Sequence, residues 1–569
     1  MTTIDTRPEA ADAAAGDAAS DPGSRSAVEA FFVTAAAWVT TTDHKRIGRL
    51  YLAMGLLVLT ATAVLGAVLG FERADDGAVS LDADALLQTF QAYRVGLVFG
   101  AVIPLGLGLA IAIAPLQLGA RSIAFPRLAL TGFYSWVGGL ALTFVALGRN
   151  GGIGGGDNQA IDLFLAGHGL MILGLLASAG CVATSVLTTR APGMTMRRVP
   201  LFAWSALVGS LAMLVALPVA FGAIVYLFID HRYAQLNFGG AEGIGDWIGW
   251  AFSVPAVIVY ALPAVGVAAE MIPVTFKNRQ ALRGVAFAGI ALVGVAALAA
   301  TTQQFVHEVT FDTGGERFVR DAVPFLIFAG LPLLGLAVVM GLGGLTAQGG
   351  LANGRPSISS GFVFSFLGLG MVGAGIAGNF LMGITDVDLI RGPGEAEPLF
   401  TTFEEGATIY VVYGTALAVM GGVVFWAPKL WGRQISEKQV LPLALLGVLA
   451  TVLAGLPLYI AGFLDQVGGV PANDADVAAM LVIDGDTGAL WNGLSLAGHA
   501  LMALTVLAFG GLLLKTFAGA GEQADDNPVG GHTIEWSTSS PAPADNFEHV
   551  PTVASPEPQF DLTYEGTSS

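Results

Sequence analysis

Cysteine is all but missing from this chain. Cys181 is the only one, set inside an apolar run, so an internal disulfide framework and thiolate-held metal clusters are both excluded. Charge is scarce as well: Asp, Glu, Lys and Arg make up 12% of the 569 residues, about half the fraction expected of a soluble multidomain chain. Basic residues are the scarcer sign, 25 against 43 acidic ones, for a net charge of −18. That balance excludes a basic nucleic-acid-binding face, and no nucleic-acid partner is expected. What fills the chain instead is apolar: 54% hydrophobic residues and a mean hydropathy of +0.70. Apolar runs long enough to cross a bilayer recur along most of its length, which predicts an all-α, polytopic membrane protein whose first partner is lipid.

Twelve spans are expected, near residues 47–70, 88–115, 128–148, 161–188, 200–229, 247–274, 284–304, 321–345, 359–384, 406–428, 439–463 and 490–516. The connections alternate in charge. Lys45, Arg46 and Arg49, Arg121 and Arg127, Arg190, Arg197 and Arg198 fall on one side. Lys277, Arg279 and Arg283, Arg355, Lys429, Arg433 and Lys438, and Lys515 continue it. The opposite connections carry only Arg73, Arg149, Arg232, Arg317, Arg320 and Arg391. The bias of Lys and Arg toward the cytoplasm then places both termini inside the cell, as an even number of spans also requires, with the chain in the plasma membrane.

The acidic excess lies in the ends and the longer loops. Residues 1–40 read as a disordered, Ala-rich acidic tail with no cleavable signal peptide evident, 41–516 as the membrane domain, and 517–569 as an acidic cytoplasmic tail without Lys or Arg. Acidic surfaces of this kind also suit a salt-rich, halophilic setting.

The stretch Trp247–Pro273 organises the rest. It is long enough to span, carries Glu270 as its one charge, and holds Pro255 and Pro263, whose freed backbone groups call for neighbouring helices. Its segment Val259–Pro273, VYALPAVGVAAEMIP, resembles the sixth helix of subunit I of the heme-copper terminal oxidases, such as cytochrome c oxidase. Further motifs follow in order: Thr41–Gly48 (TTDHKRIG), Pro115–Arg121 (PLQLGAR), Arg190–Met196 (RAPGMTM), Pro200–Ser205 (PLFAWS) and Trp426–Arg433 (WAPKLWGR). In the tail Asp526-Asn527-Pro528, Glu535-Trp536, Ser539-Ser540-Pro541 and Asn546-Phe547 continue the likeness. The resemblance implies the twelve-helix subunit I bundle, partnership with other respiratory oxidase subunits, and a family activity of oxygen reduction coupled to proton pumping.

That activity needs six histidines, since imidazole is the ligand that suits the heme irons and copper. Counting from the nearest motif, the family's second-helix heme ligand falls at Tyr93 and its sixth-helix copper ligand at Val254. The histidine pair falls on Gln303 and Gln304, and the H-F-H of the tenth helix on Ala407, Thr408 and Ile409. The arginine pair that holds the heme propionates falls on Ala472 and Asn473. The proton-path positions fall on Ser122, Leu336 and Ala256. The resemblance therefore implies the scaffold without its metal ligands: a redox-silent paralogue, a pseudoenzyme, with neither heme nor copper expected, acting as a structural or regulatory component.

Seven histidines remain. His44, His231, His307, His532 and His549 read as solvated or interfacial. His168 and His499 lie inside apolar spans, where an ionisable group is a functional candidate, and a heme held by these two is the alternative reading. Arg94 and Glu270 are expected to snorkel to the interface. Gln303 and Gln304 are expected to bond each other in a vacated site. A transporter or channel on the same scaffold is a third reading, with no paired intramembrane carboxylates in the predicted spans to support it.

Overall fold

A computed structural model describes residues 27–74, 80–234, 237–239, 244–245, 247–302, 322–352, 354–385, 401–464, 466 and 485–565. Twelve helical spans long and apolar enough to cross a membrane are present. They are His44–Ala74, Ala83–Gln117, Pro126–Leu147, Asn158–Thr188, Leu201–Arg232, Gly249–Thr275, Arg283–Thr301, Ala322–Leu351, Ser360–Met382, Thr402–Trp431, Glu437–Phe463 and Thr487–Gly519. They are numbered here first to twelfth. The second, sixth and tenth are apolar on every face and wholly buried through their central windows, whereas the other nine keep one face outward. Consecutive spans pack side by side, the third on the fourth and the ninth on the tenth most extensively, and the twelfth returns to the first to close the ring.

Small residues set the closest approaches. A Cβ added at Gly139 of the third span would stand 2.3 Å from the Met171 nitrogen of the fourth, so the two backbones touch, as packing in lipid favours. The sixth span departs most from a regular helix. It begins in 3-10 turns at Gly249–Phe252 and Ala256–Ala261, and only Leu262–Thr275 is α-helical. Pro255 and Pro263 lack the N–H groups a continuous helix needs, and burial among neighbouring spans makes the break tolerable. The tenth span is a regular helix closed at both ends. The Thr401 hydroxyl accepts from Phe403 N, and Gly432, at φ 68°, donates its N–H to Pro428 O.

Two expectations about the ends need correction. Within the stretch read as a disordered N-terminal tail, Ala27–Val39 form a helix. The C-terminal segment is not a solvated tail. After a short antiparallel pairing of Arg433 with Gln523 and Gln434 with Glu522, it runs as a strap across the side of the bundle that carries the basic loops. Lys429 Nζ donates to Asp526 O (2.7 Å) and Thr538 O (2.5 Å). Asn546 Oδ1 faces His44 Nε2 (3.0 Å) and accepts from Lys45 Nζ (2.9 Å), while its Nδ2 donates to Ala120 O. Further along, Val553 N donates to Pro192 O, and Arg283 pairs with Glu557 at 3.4 Å. His44 and His532, expected to be solvated, are both buried, because the strap covers them. His231 sits at a helix end, 2.8 Å from Asp162.

Glu535 is the strap's deepest charge. Its Oε1 accepts from Gln117 Nε2 and Trp426 Nε1, each at 3.1 Å. Burial pushes its carboxyl above the ordinary glutamate range. The docked strap therefore keeps a proton that a free strap would release, and docking weakens as pH rises from the ordinary glutamate pKa through the raised one. His532 works in the opposite direction: burial lowers its pKa to about 4 from 6.5, so it disfavours docking only below the ordinary imidazole pKa. At pH 8, where His532 is neutral in both states, Glu535→Gln is expected to slow hydrogen exchange across 526–547 relative to the native chain. Faster exchange in the variant would show that the carboxylate is docked in its charged form.

Candidate functional site

The three buried spans meet where the resemblance placed its ligand positions. Tyr93 comes from the second span, Val254 from the sixth, and Ala407 and Ile409 from the tenth. All four are buried. Beside them lies a cavity of about 20 Å³, lined by Phe90, Tyr93, Arg94, Leu97, Phe252, Ser253, Glu404, Glu405 and Thr408. That is room for one water molecule. The Tyr93 hydroxyl is buried with no hydrogen-bond partner among the described residues, so it is the group such a water would satisfy. Gln303 and Gln304, together with His307, Ala472 and Asn473, lie outside the described residues.

Charge surrounds the cavity. Arg73, at the end of the first span, forms a two-pronged pair with Glu405 in the first turn of the tenth, Nη1 to Oε1 at 3.2 Å and Nη2 to Oε2 at 3.0 Å. Arg94 bonds the Ser253 hydroxyl. Both guanidinium groups lie over the Phe90 ring, Arg73 at 5.8 Å and Arg94 at 5.6 Å from its centroid. Asn492 of the twelfth span donates to Arg73 O and exchanges hydrogen bonds with Gln466. Arg94 and Glu270 were both expected to snorkel outward. Instead Arg94 turns inward to Ser253, and buried Glu270 accepts from Phe202 N at 3.2 Å. An inward partner already in hydrogen-bond reach removes the reason to extend toward water.

The expected spans stopped short of this cluster. They ended at residue 70 and began at 406, whereas the helices run to Ala74 and from Thr402. Arg73, Glu404 and Glu405 were thereby left in loops. The structure thus places adjacent carboxylates, Glu404 and Glu405, in the first turn of the tenth helix, with Glu405 paired to Arg73. The available signal was the spacing of Arg73 and Arg94 against an adjacent Glu404-Glu405, opposite charges at the edges of otherwise apolar spans.

His168 and His499 occupy separate pockets. The His168 ring is enclosed by Phe99, Phe252 and Phe164, with centroids 4.8, 5.6 and 5.7 Å away. His499 Nδ1 shares a 2.7 Å hydrogen bond with the Tyr413 hydroxyl. Its ring meets Tyr93 edge-on at 5.6 Å and rests on Gly66, where an added Cβ would come within 2.8 Å. Protein rings fill the space beside both imidazoles, and the residues as packed do not fit a heme held between them. Val254, Ala407 and Ile409 offer no donor atom, and among the described residues no three His, Cys, Asp or Glu side chains gather.

A family model described as cytochrome c and quinol oxidase polypeptide I matches residues 46–498. Among curated proteins, one from Streptomyces avermitilis, assigned by name as a cytochrome c oxidase subunit 1-beta, is 31% identical over 562 residues. That match covers 92% of each chain. Cytochrome c oxidase subunit 1 of Corynebacterium glutamicum is 28% identical, covering 93% of this chain and 89% of its own. Among solved structures, the cryo-EM structure of a heme-copper terminal oxidase dimer matches with a TM-score of 0.58 at 14% identity. It covers 84% of this chain and 85% of its own, which is a likeness of fold.

Proposed function

We propose, because the chain belongs to the cytochrome c and quinol oxidase polypeptide I family, that it serves as a redox-silent member of that family. In this reading it keeps the membrane scaffold and the surfaces that bind other respiratory oxidase subunits, and acts there as a structural or regulatory component. The observation that carries the reading is the junction of the second, sixth and tenth spans. Where metal ligands would be wanted stand Tyr93, Val254, Ala407 and Ile409, and the protein's own ion pair of Arg73 with Glu405 fills the polar role beside them. Heme, when bound in this family, supplies reversible iron redox chemistry. Here Tyr93 offers a phenol, and the other three side chains offer packing alone.

The test is an optical spectrum of the purified protein, oxidised and reduced, with total iron and copper measured on the same sample. No Soret band and neither metal at stoichiometric level is the expected result. One heme per chain would overturn the proposal, and His168→Ala and His499→Ala would then identify the ligand. The same reading puts both termini in the cytoplasm, on the side of the basic loops. A phosphatase reporter fused after Ser569, active only outside the cytoplasm, is expected to be inactive. An active fusion would reverse the orientation.

A further inference from the structure

The helix Ala27–Val39 stops just short of the first span, on the side of the bundle that carries the basic loops. Glu29 and Thr34 are its only polar residues, and the rest are alanine, valine, phenylalanine and tryptophan. A helix of that composition is normally buried. This one is not. Phe32, Ala36 and Val39 follow one another at the i, i+4, i+7 spacing of a single ridge, with Val33 beside it, and all four are exposed, Phe32 at 65%.

Three spans hold the end of this helix in place. The Tyr134 hydroxyl of the third span donates to Val39 O at 2.8 Å, and Arg46 of the first donates to Ala37 O at 3.4 Å. Trp38 meets Phe517 of the twelfth edge-on, with ring centroids 6.0 Å apart. Arg46 and Arg49 lie over the Trp38 ring at 5.8 and 5.2 Å. The helix is therefore docked by its last turn while its ridge faces away from the protein.

The place of that docking says what covers the ridge. Phe517 and Leu514 point outward from the end of the twelfth span, 54% and 70% exposed, and on a membrane span such side chains meet lipid. The ridge continues this lipid-facing surface past the Trp38 ring and the two arginines, residue types that settle between hydrocarbon and water. We infer that Ala27–Val39 is an interfacial helix, which inserts Phe32, Val33, Ala36 and Val39 into the leaflet on the basic-loop side and lies along the membrane. Its 13 residues reach about 20 Å, short of the hydrocarbon thickness of about 30 Å, so it does not cross. Its partner is the bilayer, met through apolar contact, and the inference is independent of whether the chain binds heme.

The single cysteine, Cys181, is buried, so one added cysteine can carry a fluorescent label alone. Val33→Cys, Leu514→Cys and Glu548→Cys are labelled in the full chain and reconstituted in nanodiscs of phosphatidylcholine and phosphatidylglycerol. Spin-labelled lipid and aqueous iodide are the two quenchers. Leu514 on the twelfth span and Glu548 on the strap, both exposed, calibrate lipid and water. The Val33→Cys label is expected to lose most of its emission to the spin-labelled lipid and little to iodide, following the Leu514→Cys label. Iodide quenching equal to that at Glu548→Cys would overturn the inference by placing the helix in water. Protection from both quenchers would overturn it as well, since a second copy or another subunit would then cover the ridge. If Val33→Cys does not give a monodisperse protein, Ala36→Cys reads the same ridge.

Discussion

Replacing Arg73 by methionine is expected to lower stability more than any other single change in the charged junction. Arg73 and Glu405 are both buried and joined by two hydrogen bonds. Removing the guanidinium leaves Glu405 as a buried carboxylate with its main counter-charge gone, a loss of about 3–5 kcal/mol. The damage lies in the orphaned charge more than in the missing attraction. Arg73→Met combined with Glu405→Met should therefore recover most of the loss, since a well-packed apolar pair can equal a buried ion pair. Thermal unfolding in detergent of the native chain, both single variants and the double variant closes the cycle. Recovery in the double variant identifies a neutralised pair whose role is packing. If the double variant is as unstable as Arg73→Met alone, Arg73 supports something besides Glu405, and its carbonyl contact with Asn492 is then the place to look.

This pair also shows how far the sequence could be read. The number of spans was legible because an apolar run of bilayer length has few alternatives. The helix ends were not. A charge at the edge of a run reads as the beginning of water, and only the structure shows that Arg73 and Glu405, 332 positions apart, neutralise each other inside the bundle. The same blindness affects the histidines. His168 and His499 stand out in the sequence as imidazoles within apolar runs. The aromatic rings enclosing the first, and the Tyr413 hydroxyl and Gly66 that hold the second, come from distant segments. Tyr93 was placed by counting from Pro115 with a one-residue gap, and the second span carries a π-helical stretch, Gly96–Val102, between the two, which shifts the helical register there.

The strap carries the second large effect. Ending the chain after Gly521 is expected to remove most of the folded protein from the membrane, even though every span remains. Asn546 Oδ1 is the partner of His44 Nε2, and it also accepts from Lys45. Lys429, whose side chain is wholly buried, donates to two strap carbonyls. Gln117 and Trp426 direct donors at Glu535. Truncation would strip partners from all of these together, at about 1–3 kcal/mol for each donor left dry. Water can reach some of them once the strap is gone, so the total falls below the simple sum, yet it remains comparable with the stability of a whole domain. Membrane-fraction yield and size-exclusion profile of the truncated chain give the readout, and a monodisperse truncated protein at native yield would contradict the account. Adding residues 522–569 back as a separate peptide distinguishes the remaining causes. Rescue by the native peptide but not by one carrying Asn546→Ala would locate the effect at the His44–Lys45 corner, where the first span meets the loop at Ala120.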